Sequence, residues 1–157
     1  GALSPRLLPA VTFVLAAAVS FATGTSWGTM AILMPLVFPL GALLPGTAGL
    51  APETAAGIHL AATSAVLAGA VFGDHCSPIS DTTIMSSLAS GSDHIDHVRT
   101  QLPYALSVGS IAVAVGYLPA GWGLPPWAGL LVGAVLVVAL VRLVGRRPDA
   151  APREEPR

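Results

Sequence analysis

The chain has 157 residues, 54% of them hydrophobic and only 10% charged, with a mean hydropathy of +0.76. An ordinary soluble domain carries about 25% charge, so the composition excludes one and reads as an integral membrane protein. A net charge of −1 without a basic patch excludes nucleic acid as a partner, and a single cysteine, Cys76, excludes an intrachain disulfide.

No residue from 7 to 52 is formally charged, nor any from 100 to 141, and both gaps exceed the roughly 18–20 residues of a spanning helix. The chain begins with Gly1 and turns apolar after Arg6, which reads as a portion of something longer. Residues 7–22 are apolar and meet the polar string Thr23-Gly24-Thr25-Ser26-Trp27-Gly28-Thr29. Arg6 and the small residues Ala16, Ala17 and Ala18 imitate a secretory signal, but the apolar character resumes straight after Trp27. Gly24 suits the left-handed conformation that ends a helix, and Thr25 or Ser26 suits the cap of the next, predicted over about residues 28–44. Two shortish apolar arms with a polar tip predict a re-entrant hairpin; the alternative is a tight turn in the headgroup region, anchored by Trp27. Backbone that leaves the helix at membrane depth must be buried in protein or line a cavity, so the tip of a hairpin faces the interior.

Residues 45–53 form a Gly/Pro connector, and a helix is predicted from about 54 to 73, with Glu53 near its positive end. Ala61, Ala65, Gly69 and Gly73 recur every four residues, a stripe small enough for close helix contact. His59 and Thr63 share another face; His59 reads as a core histidine bonded to a neighbouring helix or as an accessory to the polar site.

That site is the string Gly73-Asp74-His75-Cys76-Ser77-Pro78-Ile79-Ser80-Asp81-Thr82-Thr83. Unpaired at the bilayer centre, two carboxylates would together cost roughly 5–7 kcal/mol on insertion scales, so their presence points to a task. The helix is predicted to end at Gly73, and a second to begin with Ser77 as its cap and Pro78 at its first position. Such a break aims unpaired carbonyls at the gap from one side and unpaired N–H groups from the other. Asp74 stands beside the carbonyl pole and Asp81 in the first turn of the second half-helix. Ser77, Ser80, Thr82 and Thr83 add hydroxyl oxygens, the ligand type hard cations prefer. Thr25 and Ser26 join them if the first tip reaches the same cavity, and His75 is a second accessory.

Residues 91–99 (GSDHIDHVR) form a polar connector, with Asp93 placed to cap the next helix. Its pairs His94/His97 and Asp93/Asp96 sit three apart, but no further ligands lie nearby, so it reads as a solvated loop and no transition-metal site is expected. Residues 101–118 and 124–144 are the cleanest spans, the last with a Gly129/Gly133 packing pair. Arg142, Arg146 and Arg147 follow, then a polar tail with little to bury, expected to be disordered. Positive charge marks the cytoplasmic side, which puts the C-terminus and the Arg99 loop inside and the uncharged loop 119–123 outside. The organisation expected is an all-α polytopic membrane protein, with a membrane domain over 1–144 and a tail over 145–157.

The string from Gly73 to Thr83, extended by Ile84-Met85-Ser86-Ser87, resembles the NhaC-type sodium/proton antiporter family, whose members carry a similar GDxxSPxSDTT signature. The likeness continues through DHIDHVRTQLPY (93–104) and the TGTSWGT tip (23–29). Members are much longer, so the resemblance implies a C-terminal portion whose N-terminal part is missing. It further implies an ion-transporter fold built from inverted repeats around a midplane site. The function implied is exchange of Na⁺ for H⁺ across the cell membrane. Asp74 and Asp81 would be the carboxylates for which the two ions compete, the hydroxyls would be ligands or gates, and no cofactor would be needed. The alternative is an organic-anion or amino-acid carrier, such as a malate/lactate exchanger coupled to Na⁺ and H⁺, in which the second half-helix binds a substrate carboxylate. His75-Cys76 stands where that branch tends to have lysine, which favours the cation/proton branch. An intramembrane metalloenzyme built from Asp74, His75, Cys76 and His59 lacks any HExxH or paired-cysteine spacing. A purely structural module leaves the aspartates unexplained. Partners expected are Na⁺, protons, the lipid bilayer and the missing N-terminal part, and a homo-oligomer is compatible with the sequence.

Overall fold

A computed structural model describes residues 4–145; the expected tail, with Arg146 and Arg147, lies outside the described residues. A single 3₁₀ turn (Pro5–Leu7) leads into α1 (Leu8–Thr23), followed by α2 (Ser26–Thr47), α3 (Pro52–Cys76) and the short α4 (Asp81–Ser90). α5 (His94–Ile111) loosens into a π-helical stretch (Ala112–Tyr117), closes with a short α6 (Leu118–Ala120), and α7 (Pro126–Val144) completes the described chain. No strand occurs among the described residues. Five segments are long and apolar enough to cross a membrane: Pro5–Thr23, Ser26–Thr47, Pro52–Cys76, His94–Ala120 and Pro126–Val144.

Local chemistry sets the boundaries at the first tip. Gly24, at φ 68°, takes the left-handed conformation and returns its N–H to the Ser20 carbonyl at 2.8 Å, ending α1. Thr25 caps α2 by accepting from Gly28 N–H at 3.3 Å. α2 then runs on past the predicted end at 44, through Pro35, Pro39 and Pro45, each of which removes one backbone donor. The arms of this hairpin have 19 and 22 residues, the length of full crossings.

α3 is the central element. Its small stripe lies on α1: a Cβ at Gly69 would sit 2.9 Å from the Ala16 Cβ, and one at Gly73 would collide with the Ala17 carbonyl. Ser77 Oγ donates to the Phe21 carbonyl at 2.8 Å. Partners rise together along both helices, so α1 and α3 run parallel. α2 runs antiparallel to them, its Gly41 meeting His59 and Ala62 while Ser26 meets Asp74. Val37, Ala62 and Val66 form the apolar core between α2 and α3, with Leu33 and Met34 packed against it. Ala61 leaves the stripe, for it lines an apolar cleft of about 930 Å³ between α3, the π stretch and α7.

Two further boundaries differ from expectation. α3 does not stop at Gly73 but continues to Cys76, and the next helix is capped by Ser80, not Ser77. Residues 77–80 form a tight turn instead, Ser80 N–H meeting the Ser77 carbonyl at 3.4 Å; Pro78 occupies the second turn position, where its fixed φ fits as well as at a helix start. Asp93 caps α5 as expected, accepting from Ile95 and Asp96 N–H at 2.9 and 3.1 Å, so the helix begins at His94 and takes up most of the stretch read as a solvated loop. In α7 a Cβ at Gly129 would approach the Val115 carbonyl of the π stretch at 2.8 Å, which accounts for the glycine pair as a packing face.

Candidate functional site

Because α3 runs to Cys76, Asp74 belongs to its last turn and points inward; its residue is 8% exposed. Three hydroxyls from three segments converge on its carboxylate. Ser80 Oγ donates to Oδ1 at 2.7 Å, Thr82 Oγ1 to Oδ2 at 3.3 Å, and Ser26 Oγ to Oδ2 at 3.5 Å. Ser80 also caps α4, accepting from Thr82 N–H at 3.3 Å and meeting Thr82 Oγ1 at 2.8 Å. The 2.7 Å bond is in the short range of charge-assisted hydrogen bonds.

The first tip thus meets the break across roughly fifty residues of sequence. Gly24 packs on Ile79, where a Cβ would stand 2.9 Å from the Ile79 carbonyl oxygen. Thr23 Oγ1 and Thr29 Oγ1 lie 3.5 Å apart behind this contact, and Thr29 is fully buried. Thr25 keeps to its capping role and is exposed.

The remaining expected residues divide. Ser77 is buried but spends its hydroxyl on Phe21, and Thr83 donates to the His75 carbonyl at 3.4 Å. The Asp81 side chain is exposed and takes no part in the hydroxyl cluster; as the first residue of α4 it sits where the helix dipole favours a negative charge. His75 is exposed and contributes only its carbonyl. His59 is fifteen residues from Asp74, about 22 Å along α3. Its ring sits against Phe38, with centroids 4.6 Å apart, and its buried Nδ1 has no hydrogen-bond partner among the described residues. The neighbour-helix hydrogen bond expected of a core histidine is therefore absent there, and the ring lies remote from the carboxylate.

The carbonyl pole is also less open than the sequence indicates. The Asp74 carbonyl takes Ser77 N–H at 3.1 Å, and the His75 carbonyl takes Gln101 Nε2 at 2.7 Å. The Pro78 carbonyl meets His94 Nε2 at 2.7 Å, and His94 Nδ1 lies 3.0 Å from Ser87 Oγ. His94 and Gln101 escaped sequence reasoning, since their partners lie 16 and 26 residues away and are backbone atoms. Among the described residues no three His, Cys, Asp or Glu side chains gather as a metal site, and the only ion pair found there, Arg99 with Asp96 at 4.0 Å, is exposed. Among the described residues, the carboxylate of Asp74 is therefore held by hydroxyls with no fixed cation beside it.

The model of the Na⁺/H⁺ antiporter family matches residues 1–122. An uncharacterized protein of Haemophilus influenzae is 44% identical over 94% of this chain and 26% of its own length. An uncharacterized Na⁺/H⁺ antiporter of the same organism is 37% identical over 73% of the chain and 23% of its own. A malate-2H⁺/Na⁺-lactate antiporter of Bacillus subtilis is 33% identical over 74% and 24%. The chain therefore spans about a quarter of the length of these curated relatives. No solved structure matches it. On the family match and these identities, the chain belongs to the Na⁺/H⁺ antiporter family.

Proposed function

We propose that the chain supplies the cation site of a secondary transporter that exchanges Na⁺ for H⁺ across the cell membrane, and that Asp74 is the carboxylate for which the two ions compete. The observation that carries this reading is a buried carboxylate ringed by Ser80, Thr82 and Ser26 hydroxyls without a basic partner among the described residues. An isolated buried charge is costly, and one monovalent cation or one proton removes it. Hydroxyls suit both states: they donate to the bare carboxylate and, on rotation, offer lone pairs to a hard cation beside it. Since one buried carboxylate serves both ions among the described residues, loading one ion displaces the other, and that displacement is the exchange. Asp81 takes the lesser role of a second carboxylate on the approach, and Thr83, Ser77 and Thr25 hold the backbone around the pocket.

The same reading places the pocket inside the membrane. Gln101, which touches the last turn of α3, is eight residues from Asp93 at the polar turn, about 12 Å along α5, and half the hydrocarbon thickness is about 15 Å. The α1–α2 tip meets the break at that depth, and Arg142 with the arginines after it puts the C-terminus in the cytoplasm.

The test uses the full-length transporter in vesicles with a pH gradient, adding Na⁺, Li⁺ and K⁺ in turn. Asp74→Asn is expected to abolish exchange while inserting normally, and Asp81→Asn to retain part of it. Exchange at the parental rate by the Asp74 variant overturns the assignment. An organic-anion carrier is the second reading, favoured by the likeness to the malate-2H⁺/Na⁺-lactate antiporter of B. subtilis. Its substrate carboxylate needs free N–H groups at the start of α4, yet Thr82 N–H is already taken by Ser80. A pH change driven by malate or lactate in the same vesicles would decide for it.

A further inference from the structure

His94 and Gln101 are seven residues apart on α5, hence on one face two turns apart. Both reach backbone carbonyls of the break: Gln101 Nε2 donates to His75 at 2.7 Å, and His94 Nε2 stands 2.7 Å from the Pro78 oxygen. A carbonyl only accepts, so this nitrogen bears the hydrogen and the tautomer is fixed. The two acceptors flank the turn that carries Ser80. The carbonyls in a helix's last turn have no intrahelical partner, and His75 contributes one of them; the Pro78 carbonyl lies in the turn itself, where it makes no ladder bond.

Resting on the cation site proposed for Asp74, we infer that His94 and Gln101 are positioning residues that hold the break in its ion-binding form. Neither touches the carboxylate. They act through the backbone: Gln101 fixes the last turn of α3, which bears Asp74, and His94 fixes the turn two residues before Ser80. With both ends tied to one helix face, the Ser80 hydroxyl is delivered to Oδ1 at 2.7 Å without a search through turn conformations. Preorganisation of this kind shows as affinity, because the ordering cost is met before the ion arrives. The ties also withdraw two carbonyl oxygens from the free cation ligands, leaving the carboxylate and hydroxyls to select the ion.

The experiment measures exchange by the full-length protein in vesicles as a function of Na⁺ concentration at fixed pH. His94→Leu and Gln101→Leu are each expected to raise the apparent KM for Na⁺ about tenfold, the worth of one ordinary hydrogen bond, with kcat within about twofold of the parent. His94→Gln, whose amide nitrogen can donate as Nε2 does, restores KM, and His97→Leu leaves it unchanged. An unchanged KM in His94→Leu, a loss confined to protein yield, or failure of the glutamine to restore KM overturns the positioning role. Amide hydrogen exchange over residues 80–84 tests the clamp without transport: the His94→Leu variant exchanges faster than the parent, and equal rates refute it. A parent that shows the clamp by hydrogen exchange but no Na⁺-dependent exchange refutes the antiport reading instead.

Discussion

Replacing Ser80 by alanine removes the most heavily used side chain in the pocket. Its hydroxyl, fully buried, donates to Asp74 at 2.7 Å and accepts the Thr82 N–H that opens α4. A hydrogen bond to a charged group contributes about 1.5–3 kcal/mol, and an N-cap about 1 kcal/mol. Thr82 cannot take over both roles, since its own hydroxyl already faces Oδ2. The expected loss is therefore about 2.5–4 kcal/mol, concentrated in α4, or roughly two to three orders of magnitude in the opening equilibrium of that helix. Hydrogen exchange by mass spectrometry on the reconstituted protein reads this directly, with amides 82–85 exchanging faster and those of α1 unchanged. Ser90→Ala serves as the control, because its hydroxyl bonds within its own helix and to exposed Ser92. Equal protection of α4 in the Ser80 and Ser90 variants refutes the reasoning, for the hydroxyl would then be holding neither the helix start nor the carboxylate.

Gly73→Leu forces α1 and α3 apart at the Ala17 carbonyl, and overpacking of this kind costs typically 1–3 kcal/mol; Gly57→Ala, with nothing within 4 Å of the new Cβ, is expected to be neutral or stabilising by up to about 1 kcal/mol. Thermal unfolding in detergent separates the two, and a Gly73 variant as stable as the parent would remove the close helix contact from the account. Topology is checked with an impermeant thiol reagent on intact cells: Trp122→Cys, at an exposed position of the 119–123 loop, is labelled and Ser92→Cys is not, whereas the reverse pattern inverts the orientation.

Much of this architecture was legible because it rests on local rules. The uncharged runs give the spans, Gly24 and Thr25 give the tip, Asp93 gives the start of α5, and Gly69 and Gly73 give the contact with α1. The meeting of tip and break followed from the need of both to hide polar backbone. What escaped is what depends on a single residue of register. Serine followed by proline opens a helix or a turn equally well, and the choice of a turn at 77–80 moved the cap to Ser80. That shift left Asp74 inside α3 and turned Asp81 outward, splitting two carboxylates that spacing alone had treated alike. His94 and Gln101 depend on how α5 crosses the break, and the π stretch at 112–117 has no proline to announce it.

The three helices around Asp74 are joined by bonds of unequal kind. Between α1 and the α3 segment, Ser20 bonds the Ala70 carbonyl at 2.6 Å and Ser77 bonds Phe21 at 2.8 Å, over a seam of small residues. Between α2 and α3 the apolar contact of Val37, Ala62 and Val66 has no preferred direction, and the one polar tie is Ser26 to Asp74 at 3.5 Å. Directional bonds on tight backbone resist sliding, whereas apolar contact tolerates it. A displacement of α2 against α3 therefore meets less directional resistance than one of α1 against α3, and it strips the Ser26 hydroxyl from the carboxylate. Under the exchange proposed above, Ser26 is the point where ion occupancy and helix position meet: a cation that recruits its hydroxyl holds α2 against the carboxylate, and a proton, which needs no third oxygen, does not.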